Sequence, residues 1–403
     1  MVSLSGLSSL ASSISLLSSA MRRRRSVLVI FLLLAVLAAT FLPRYFRGAA
    51  FVVRAAGLEG TPRRVAEWET SPIREMDWSL AWRDGALRSR RYFPQSGGGR
   101  PVLLVPGVHA AGIDEPRLVG FARQIAAAGH EVFTVQLDDL AHYRITTRTT
   151  DMIEDAAISV SNDAGGRGVA GKIGVLGISF GGGLSIVAAG RPSLKGRVSW
   201  VLALGGHADL PRTLRYLCTG VQPDGVVRPP HDYGLAIVLL GAADRVVQAA
   251  QVEPLRAAIL SYLEASRLDM VDKAKANVEF ARAKTLAAAL DEPSRTYMNY
   301  VNARDVAHLG PVLLPHVSAL GGDPALSPAR SPAPDASVFL LHGTDDNVVP
   351  AIESTLLAKD LRARNVPVHV LLTPLITHAE VDRASTATAI WRLIHFWSDV
   401  LSE

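Results

Sequence analysis

The chain has 403 residues, 49% of them hydrophobic, which suits one large domain with additions and a full apolar core. Its formal net charge is +5, but residues 1–64 hold nine arginines and one acidic residue, so subtracting their +8 leaves −3 for the rest. The basic character therefore belongs to the N-terminal arm, which argues against a nucleic-acid-binding domain. Cys218 is the only cysteine, so an intrachain disulfide and a cysteine-rich zinc site are both excluded.

The N-terminal part of the chain has the pattern of a membrane anchor. Residues 1–25 are rich in serine and leucine and end in four arginines, and Met21, just before them, is a candidate start of the natural chain. The apolar run 26–42 would span about 25 Å as a helix, close to the thickness of a bilayer's hydrocarbon core. We predict an uncleaved single-pass transmembrane anchor at 26–46, with a cleaved signal peptide as the alternative. A polar linker is predicted at 47–76.

The arginines on the two sides of the apolar run differ little in number, so they set the orientation weakly. We expect the N-terminus inside the cytoplasm and the body of the protein on the extracytoplasmic side. The partners expected from this arrangement are the membrane, through the N-terminal helix, and a small-molecule substrate.

After the linker the chain alternates between short apolar runs and helical patterns. Strands are predicted at 78–82, 87–93, 101–105, 131–135, 172–176 and 198–204, and helices at 115–128, 151–160 and 180–189. Continuous apolar strands that alternate with helices are typical of a doubly wound, mostly parallel sheet in an α/β protein. The first part of this core is predicted to span 77–207.

The alternation stops in the middle of the chain and then resumes. Residues 208–335 carry long helical patterns with no strand between them, which predicts an inserted helical cap. The second part of the core, 336–403, is predicted to contain strands at 337–341 and 367–372 and helices at 352–363 and 384–400.

The stretch Gly177-Ile178-Ser179-Phe180-Gly181 lies where a predicted strand runs into a predicted helix. A G-x-S-x-G sequence in that context forms a strained turn that lifts the serine hydroxyl above the sheet. Ser179 would also lie at a helix N-terminus, which favours developing negative charge. Because a five-residue pattern also arises by chance, its weight depends on an acid and a histidine at the ends of later strands.

Such residues follow the last two predicted strands. Asp345 and Asp346 come directly after strand 337–341, and His378 comes after strand 367–372. The carboxyl ends of parallel strands meet at one edge of a sheet, where ligands bind in open α/β folds. The sequence therefore predicts a serine, an acid and a histidine at one edge. Asp244 lies in a similar-looking stretch, but inside the cap, and is not expected to take part.

Taken together, these segments resemble the α/β-hydrolases over about residues 85–403. The nucleophile turn and the chain order serine, acid, histidine match that family, and the run from His342 to Pro350 is similar to its H-G-x-x-D-x-x-V-P segment. The resemblance favours Asp346 over Asp345 as the acid. It implies that Ser179 is the nucleophile, that His378 accepts its proton, and that Asp346 orients the imidazole. The esterase and dienelactone-hydrolase-like branches are the most similar, although true dienelactone hydrolases do not have serine as nucleophile.

The resemblance also implies an oxyanion hole made of backbone amides. Phe180, directly after the nucleophile, would supply one amide, and Val108 in the loop Pro106–His109 would supply the other. That loop takes the place of the lipase-type H-G-G-G sequence. His109 and His207 both follow strands, and we expect them to line the substrate pocket or to anchor its loops.

The sequence thus predicts a membrane-anchored serine hydrolase that cleaves a carboxylic ester, of a lipid or another acyl compound, through an acyl-enzyme. No cofactor and no metal are expected. An acyltransferase or peptidase with the same triad is the first alternative. A non-catalytic binding protein that kept the fold is the second, because a fold does not by itself imply a function. The substrate, its acyl length and the oligomeric state are left open.

Overall fold

The computed structural model describes residues 31, 39, 41–83, 85–97, 99–166, 171–269, 271–376 and 387–403. His378 and most of the predicted anchor at 26–46 lie outside these residues. No helix within the described ranges is both long and apolar enough to cross a membrane, and only four residues of the apolar run 26–42 belong to those ranges.

The core is an eight-stranded sheet with the strand order β1-β2-β4-β3-β5-β6-β7-β8. The strands are β1 (Ile73–Trp82), β2 (Gly85–Pro94), β3 (Arg100–Val105), β4 (His130–Val135), β5 (Ile173–Ile178), β6 (Val198–Leu204), β7 (Ser337–Gly343) and β8 (Val368–Thr373). β1 pairs antiparallel with β2 and β2 antiparallel with β4, whereas all later pairs are parallel. The predicted mostly parallel sheet is confirmed.

Helices cover both faces of this sheet. They are α1 (41–55), α2 (Thr61–Ala66), α3 (Pro116–Ala127), α4 (Asp138–Ala141), α5 (Thr147–Gly166), α6 (Phe180–Ala189), α7 (Leu210–Thr219), α8 (Tyr233–Val246), α9 (Ala249–Asp269), α10 (Lys273–Ala288), α11 (Ser294–Ala303), α12 (Val306–Leu313), α13 (Val317–Gly321), α14 (Ile352–Ala363) and α15 (Ala387–Val400).

The parallel strands are apolar throughout because each of their faces meets a layer of helices. In β3, Val102 and Leu104 belong to one core with residues of α1, α3 and α15. Leu103 and Val105 point to the other face, into a second core with α5, α6 and α14. Alternate residues of one strand thus fill two cores, as the period of two in a β-strand requires.

Residues 208–335 form the helices α7 to α13, which lie between β6 and β7 in the chain. Several of them begin at an aspartate whose carboxylate accepts a backbone N–H of the first turn: Asp209 for α7, Asp272 for α10 and Asp305 for α12. Such caps satisfy amides that have no partner inside the helix, and each typically stabilises a helix by about 1 kcal/mol. Local sequence therefore fixes where these cap helices begin.

The segment 47–76, predicted as a polar linker, contains helices and the start of a strand. Residues 47–55 belong to α1, whose Phe51 is fully buried against the ring of Trp397, with the centroids 4.5 Å apart. α2 and the first residues of β1 take up much of the remainder. The polar, turn-rich composition hid the apolar positions Ala50 and Phe51, which attach this helix to the core.

Candidate active site

Ser179 lies at the end of β5 and directly precedes α6. Its backbone has φ 53° and ψ −131°, a conformation that a residue with a side chain adopts only at a cost of about 1–3 kcal/mol. The amide of Ser179 donates to the carbonyl oxygen of Leu204 at the end of β6 (2.7 Å), and Gly182 donates to the Ser179 carbonyl (2.8 Å). The strand-to-helix turn predicted from the sequence is therefore present, with the serine in the strained position.

Glycine is required at this turn because neighbouring backbone comes very close. A Cβ on Gly181 would lie 2.1 Å from the carbonyl oxygen of Pro106, far inside contact distance. A Cβ on Gly107 would lie 3.2 Å from the Cβ of Ser179. The loop after β3 thus packs directly onto the nucleophile turn.

The two residues predicted to donate to the oxyanion, Phe180 and Val108, lie in the segments next to Ser179. Phe180 is the first residue of α6, where backbone N–H groups have no acceptor inside the helix. Val108 follows Gly107 in the loop that contacts Ser179, and its side chain is half-buried against the core. Both amides therefore belong to segments beside the serine, and their role in binding an oxyanion stays a prediction.

Asp346 lies in the loop after β7 and is 2% exposed. Its Oδ1 accepts the amides of Val348 (2.8 Å) and Val349 (3.0 Å), which fix the orientation of the carboxylate. The adjacent Asp345 has a side chain that is 68% exposed and pairs with Arg228 at 3.1 Å. Of the two aspartates that the sequence offered, the structure turns Asp346 inward and Asp345 outward.

His342, at the carboxyl end of β7, contacts the same loop from the core side. Its Nε2 donates to the carbonyl oxygen of Val349 (2.8 Å), and its Nδ1 lies 2.7 Å from the hydroxyl of Ser354. The ring is buried and lies 3.4 Å from Oδ2 of Asp346. His342 thus supports the acid loop from within the core.

Ser179 and Asp346 line one pocket at the carboxyl edge of the sheet. The pocket is bounded by Ile178, Ser179, Leu204, Gly205, Leu341, Gly343, Asp346 and Ile376. These residues come from the ends of β5, β6 and β7 and from the segment after β8, because the parallel register ends these strands at one level. Ile376 is the last described residue before His378, which lies outside the described residues.

His109 is the last residue of the loop Pro106–His109, which contacts Ser179, and is half-buried. Its Nδ1 accepts the amide of Ala111 at 3.2 Å. Burial lowers the pKa of His109, partly offset by the charge of Glu115, so the neutral ring is favoured. Arg267 and Glu264 of the cap helix α9 also act on its pKa, Arg267 lowering it and Glu264 raising it.

The structure does not bring His207 to the pocket. Its ring is fully buried behind α6, where Nε2 donates to the carbonyl oxygen of Leu326 (2.8 Å) and the ring packs on Phe180 with centroids 5.5 Å apart. A Cβ on Gly183 would lie 2.4 Å from this ring. Of the two roles expected for His207, the contacts correspond to the loop anchor and not to the pocket wall.

Cap residues reach the acid loop, which the sequence did not reveal. The carbonyl oxygen of Asn347 accepts the amide of His231 (2.8 Å) and the hydroxyl of Tyr216 (3.3 Å). Burial, together with the charges of Asp346 and Asp232, raises the pKa of Tyr233 well above its ordinary value. Since these residues lie more than 100 positions before the acid loop, no local motif could have pointed to them.

The combination of features decides the fold. A mostly parallel sheet carries a strained serine turn after β5, a buried aspartate after the later strand β7, and a helical insertion between β6 and β7. The chain has the α/β-hydrolase fold. The fold assignment made from the sequence is confirmed in this respect, while the transmembrane helix is not found among the described residues.

No protein-family model and no curated protein matches this sequence. Among solved structures it is similar to an esterase from Pyrobaculum calidifontis, at 16% identity over 91% of this chain and 92% of that one, with a TM-score of 0.43. It is also similar to a thermostable carboxylesterase from a metagenomic library, at 15% identity over 90% of this chain and 96% of that one, with a TM-score of 0.45. The third is an acylaminoacyl peptidase from Pyrococcus horikoshii, at 11% identity over 85% of this chain and 43% of that one, with a TM-score of 0.43. Such identities are too low to carry a substrate over.

Proposed function

We propose that this α/β-hydrolase is a serine hydrolase that cleaves a carboxylic ester through an acyl-enzyme. One observation carries the proposal: Ser179, held in a strained turn, and Asp346, buried and oriented by two amides, line the same pocket. A purely structural role gives no reason to hold a serine in a costly conformation beside a buried carboxylate.

In the proposed reaction the hydroxyl oxygen of Ser179 attacks the ester carbonyl carbon while His378 takes the hydroxyl proton. The amides of Phe180 and Val108 stabilise the negative charge that develops on the carbonyl oxygen. His378 then gives the proton to the departing alcohol, which leaves the acyl group on Ser179. Water, deprotonated by His378, attacks the acyl carbon, the bond between that carbon and the oxygen of Ser179 breaks, and His378 returns the proton to that oxygen as the acid is released. Asp346 holds the imidazole and stabilises its charged form in both halves.

Labelling with a fluorophosphonate probe tests the nucleophile. The full chain in detergent is expected to be labelled, and Ser179→Ala and His378→Ala are expected to lose the label. Ser185→Ala is the matched control, since its buried hydroxyl donates to the carbonyl oxygen of Gly181 and is not assigned to the reaction. A folded wild-type chain that resists the probe and hydrolyses no ester in a panel of acyl lengths would refute the proposal.

We further propose that residues 26–46 anchor the chain by a single membrane pass, with the hydrolase body on the extracytoplasmic side. The length and composition of the apolar run and the four arginines before it support this placement. The full chain should float with vesicles after an alkaline wash. In inside-out and right-side-out membrane vesicles, protease should reach the body only in the right-side-out preparation. A chain that the alkaline wash extracts is not anchored.

A further inference from the structure

The described part of helix α1, residues 41–55, includes the end of the apolar run and is firmly attached to the hydrolase body. Phe51 packs between Trp397 of α15 and Phe121 of α3, with ring centroids 4.5 and 6.0 Å away. A Cβ on Gly48 would overlap Ser398, so the backbones of α1 and α15 are in close contact. Arg44 pairs with Asp399. Over the described residues 41–55, one helix therefore leads from the end of the apolar run to the body.

Beside this attachment lies a surface that we call the aromatic patch: Phe41, Leu42, Tyr45, Ile390 and Trp391. The rings of Tyr45 and Trp391 are stacked, with centroids 5.2 Å apart and planes within 8° of each other. Every member except the half-buried Tyr45 is exposed; the exposed fraction is 68% for Leu42 and 57% for Trp391. Phe41 and Leu42 precede Tyr45 by four and three residues, which puts them on its side of the helix.

The patch lies at the same end of the sheet as Ser179. The C-terminus of α15 lies at the opposite end, because Arg100 at the start of β3 donates to the carbonyl oxygen of Ser402. His130 at the start of β4 lines a small cavity with Leu401. α15 therefore begins at the carboxyl edge, and Trp391 lies about 6 Å along it.

We propose that the aromatic patch is a bilayer-contact surface, which seats the hydrolase body on the membrane; this inference rests on the anchor proposed above. Tyr45 lies about 4.5 Å along the helix from Leu42, the end of the apolar run. That distance is within the roughly 5–7 Å of headgroup region on each side of the hydrocarbon core. Tyrosine and tryptophan concentrate at this depth because each ring is apolar with one polar group.

The flanking charges suit the same partner. Arg392, next to Trp391, is exposed, and Arg47, two residues after Tyr45, is exposed and lies 3.9 Å from Glu69. Cationic side chains at this depth attract anionic lipid headgroups. Phe31, a described residue inside the apolar run, is 67% exposed, so the described part of the body does not cover the run at that point. A bilayer therefore accounts for the exposure of the described residues of the run and of the patch as one surface.

Fluorescence quenching on the full chain in phosphatidylcholine–phosphatidylglycerol vesicles tests the proposal. The variants Trp391→Cys and Leu42→Cys are labelled with an environment-sensitive thiol dye, and Val278→Cys on α10, 66% exposed, is the control. Native Cys218 is 1% exposed, so the unmodified chain gives the labelling blank. We expect a blue-shifted emission at positions 391 and 42, quenched by a spin label near the lipid headgroup. The dye at 278 should be quenched by aqueous iodide alone.

The outcomes separate the patch from the anchor. If the chain floats with the vesicles and position 42 is quenched by lipid, but position 391 is quenched by iodide like position 278, the patch proposal is wrong and the anchor stands. A dye at 391 that neither quencher reaches also overturns it, since protein would then cover the patch. If the chain does not float, the anchor fails as well.

A seated body would have a consequence for the substrate. The pocket would then open beside the lipid surface. An ester in the membrane would enter it more readily than it would enter the pocket of a body held away from the bilayer. Trp391→Ala should therefore lower the hydrolysis rate of a long-chain ester embedded in vesicles while leaving that of a short, water-soluble ester unchanged. Equal rates of the variant and the wild-type chain on both esters would contradict this consequence.

Discussion

The turn that carries Ser179 and the loop that carries Asp346 lie at one edge of the sheet but are held by different kinds of contact. Around Ser179 the constraints are steric and come from the core, since Gly181 leaves room for the carbonyl of Pro106 in the loop after β3. The acid loop is tied to distant parts of the chain through Asn347, which accepts bonds from His231 and Tyr216.

The difference shows which half of the site the cap can influence. A shift of the cap would pull on the acid loop through these bonds, whereas the contacts described around the serine turn come from core elements. We therefore expect changes in the cap to act on activity through the carboxylate, and changes at the serine turn to act on the fold itself.

The largest expected effect separates the two aspartates of the acid loop. Asp346→Asn removes the charge that would stabilise the imidazolium, and kcat should fall about 10⁴-fold. Asp345→Asn, the matched control, alters an exposed pair and should change kcat by less than about fivefold. Steady-state hydrolysis of a soluble ester measures both. Similar losses in the two variants would mean that the acid is misassigned.

The close packing of the serine turn against the loop after β3 is tested at Gly181. Gly181→Ala puts a methyl group 2.1 Å from the carbonyl oxygen of Pro106, so backbone must move, at about 3 kcal/mol or more. Gly120→Ala is the control, because a Cβ there meets nothing within 4 Å on α3 and should stabilise by up to about 1 kcal/mol. Urea unfolding gives both values. A Gly181→Ala chain as stable as the wild type would contradict the close contact.

Acid sensitivity of the fold must be separated from that of the site, and His130 contributes to the first. Burial lowers the pKa of His130 to about 4 from 6.5. Since the unfolded chain binds this proton more readily, the free energy of unfolding should fall as the pH drops from about 6.5 to 4, by up to about 3 kcal/mol.

The variant His130→Gln should flatten the dependence of unfolding on pH in that window, as measured by urea unfolding at several pH values. His308→Gln, which replaces a histidine whose side chain is 66% exposed, is the control. If the slope survives in His130→Gln, the buried neutral histidine is not its source.

The smallest expected effect concerns the contact between cap and acid loop. Arg228 pairs with Asp345 and also reaches the carbonyl oxygen of Thr344 at 3.4 Å, but both side chains are partly exposed. Arg228→Ala should lower kcat/KM by about two- to fivefold, which corresponds to about 0.5–1 kcal/mol. A double-mutant cycle with Asp345→Ala measures the coupling, and the Arg256–Glu253 pair on α9 serves as the control. Strictly additive losses would show that the pair does not hold the loop.

Several features could be predicted from the sequence because their causes are local. The strand at 198–204 and the helix at 352–363 have the predicted bounds, since continuous apolar runs and amphipathic spacing act within one element. The turn at Ser179 was predicted because glycine and serine at fixed spacing tolerate only a few backbone conformations. The Ser–Asp part of the site followed from the rule that parallel strands end at one edge.

Other features were decided by contacts between residues far apart in the chain. The choice of Asp346 over Asp345 depends on the amides of Val348 and Val349 and on Arg228. His207 has the same position after a strand as a pocket residue, yet packing against α6 buries its ring. Residues 47–55 looked like a linker because their partners, Phe121 and Trp397, lie 70 and 346 positions beyond Phe51. Sequence determines local conformation and burial pattern, whereas which side chain meets which depends on how the finished layers pack.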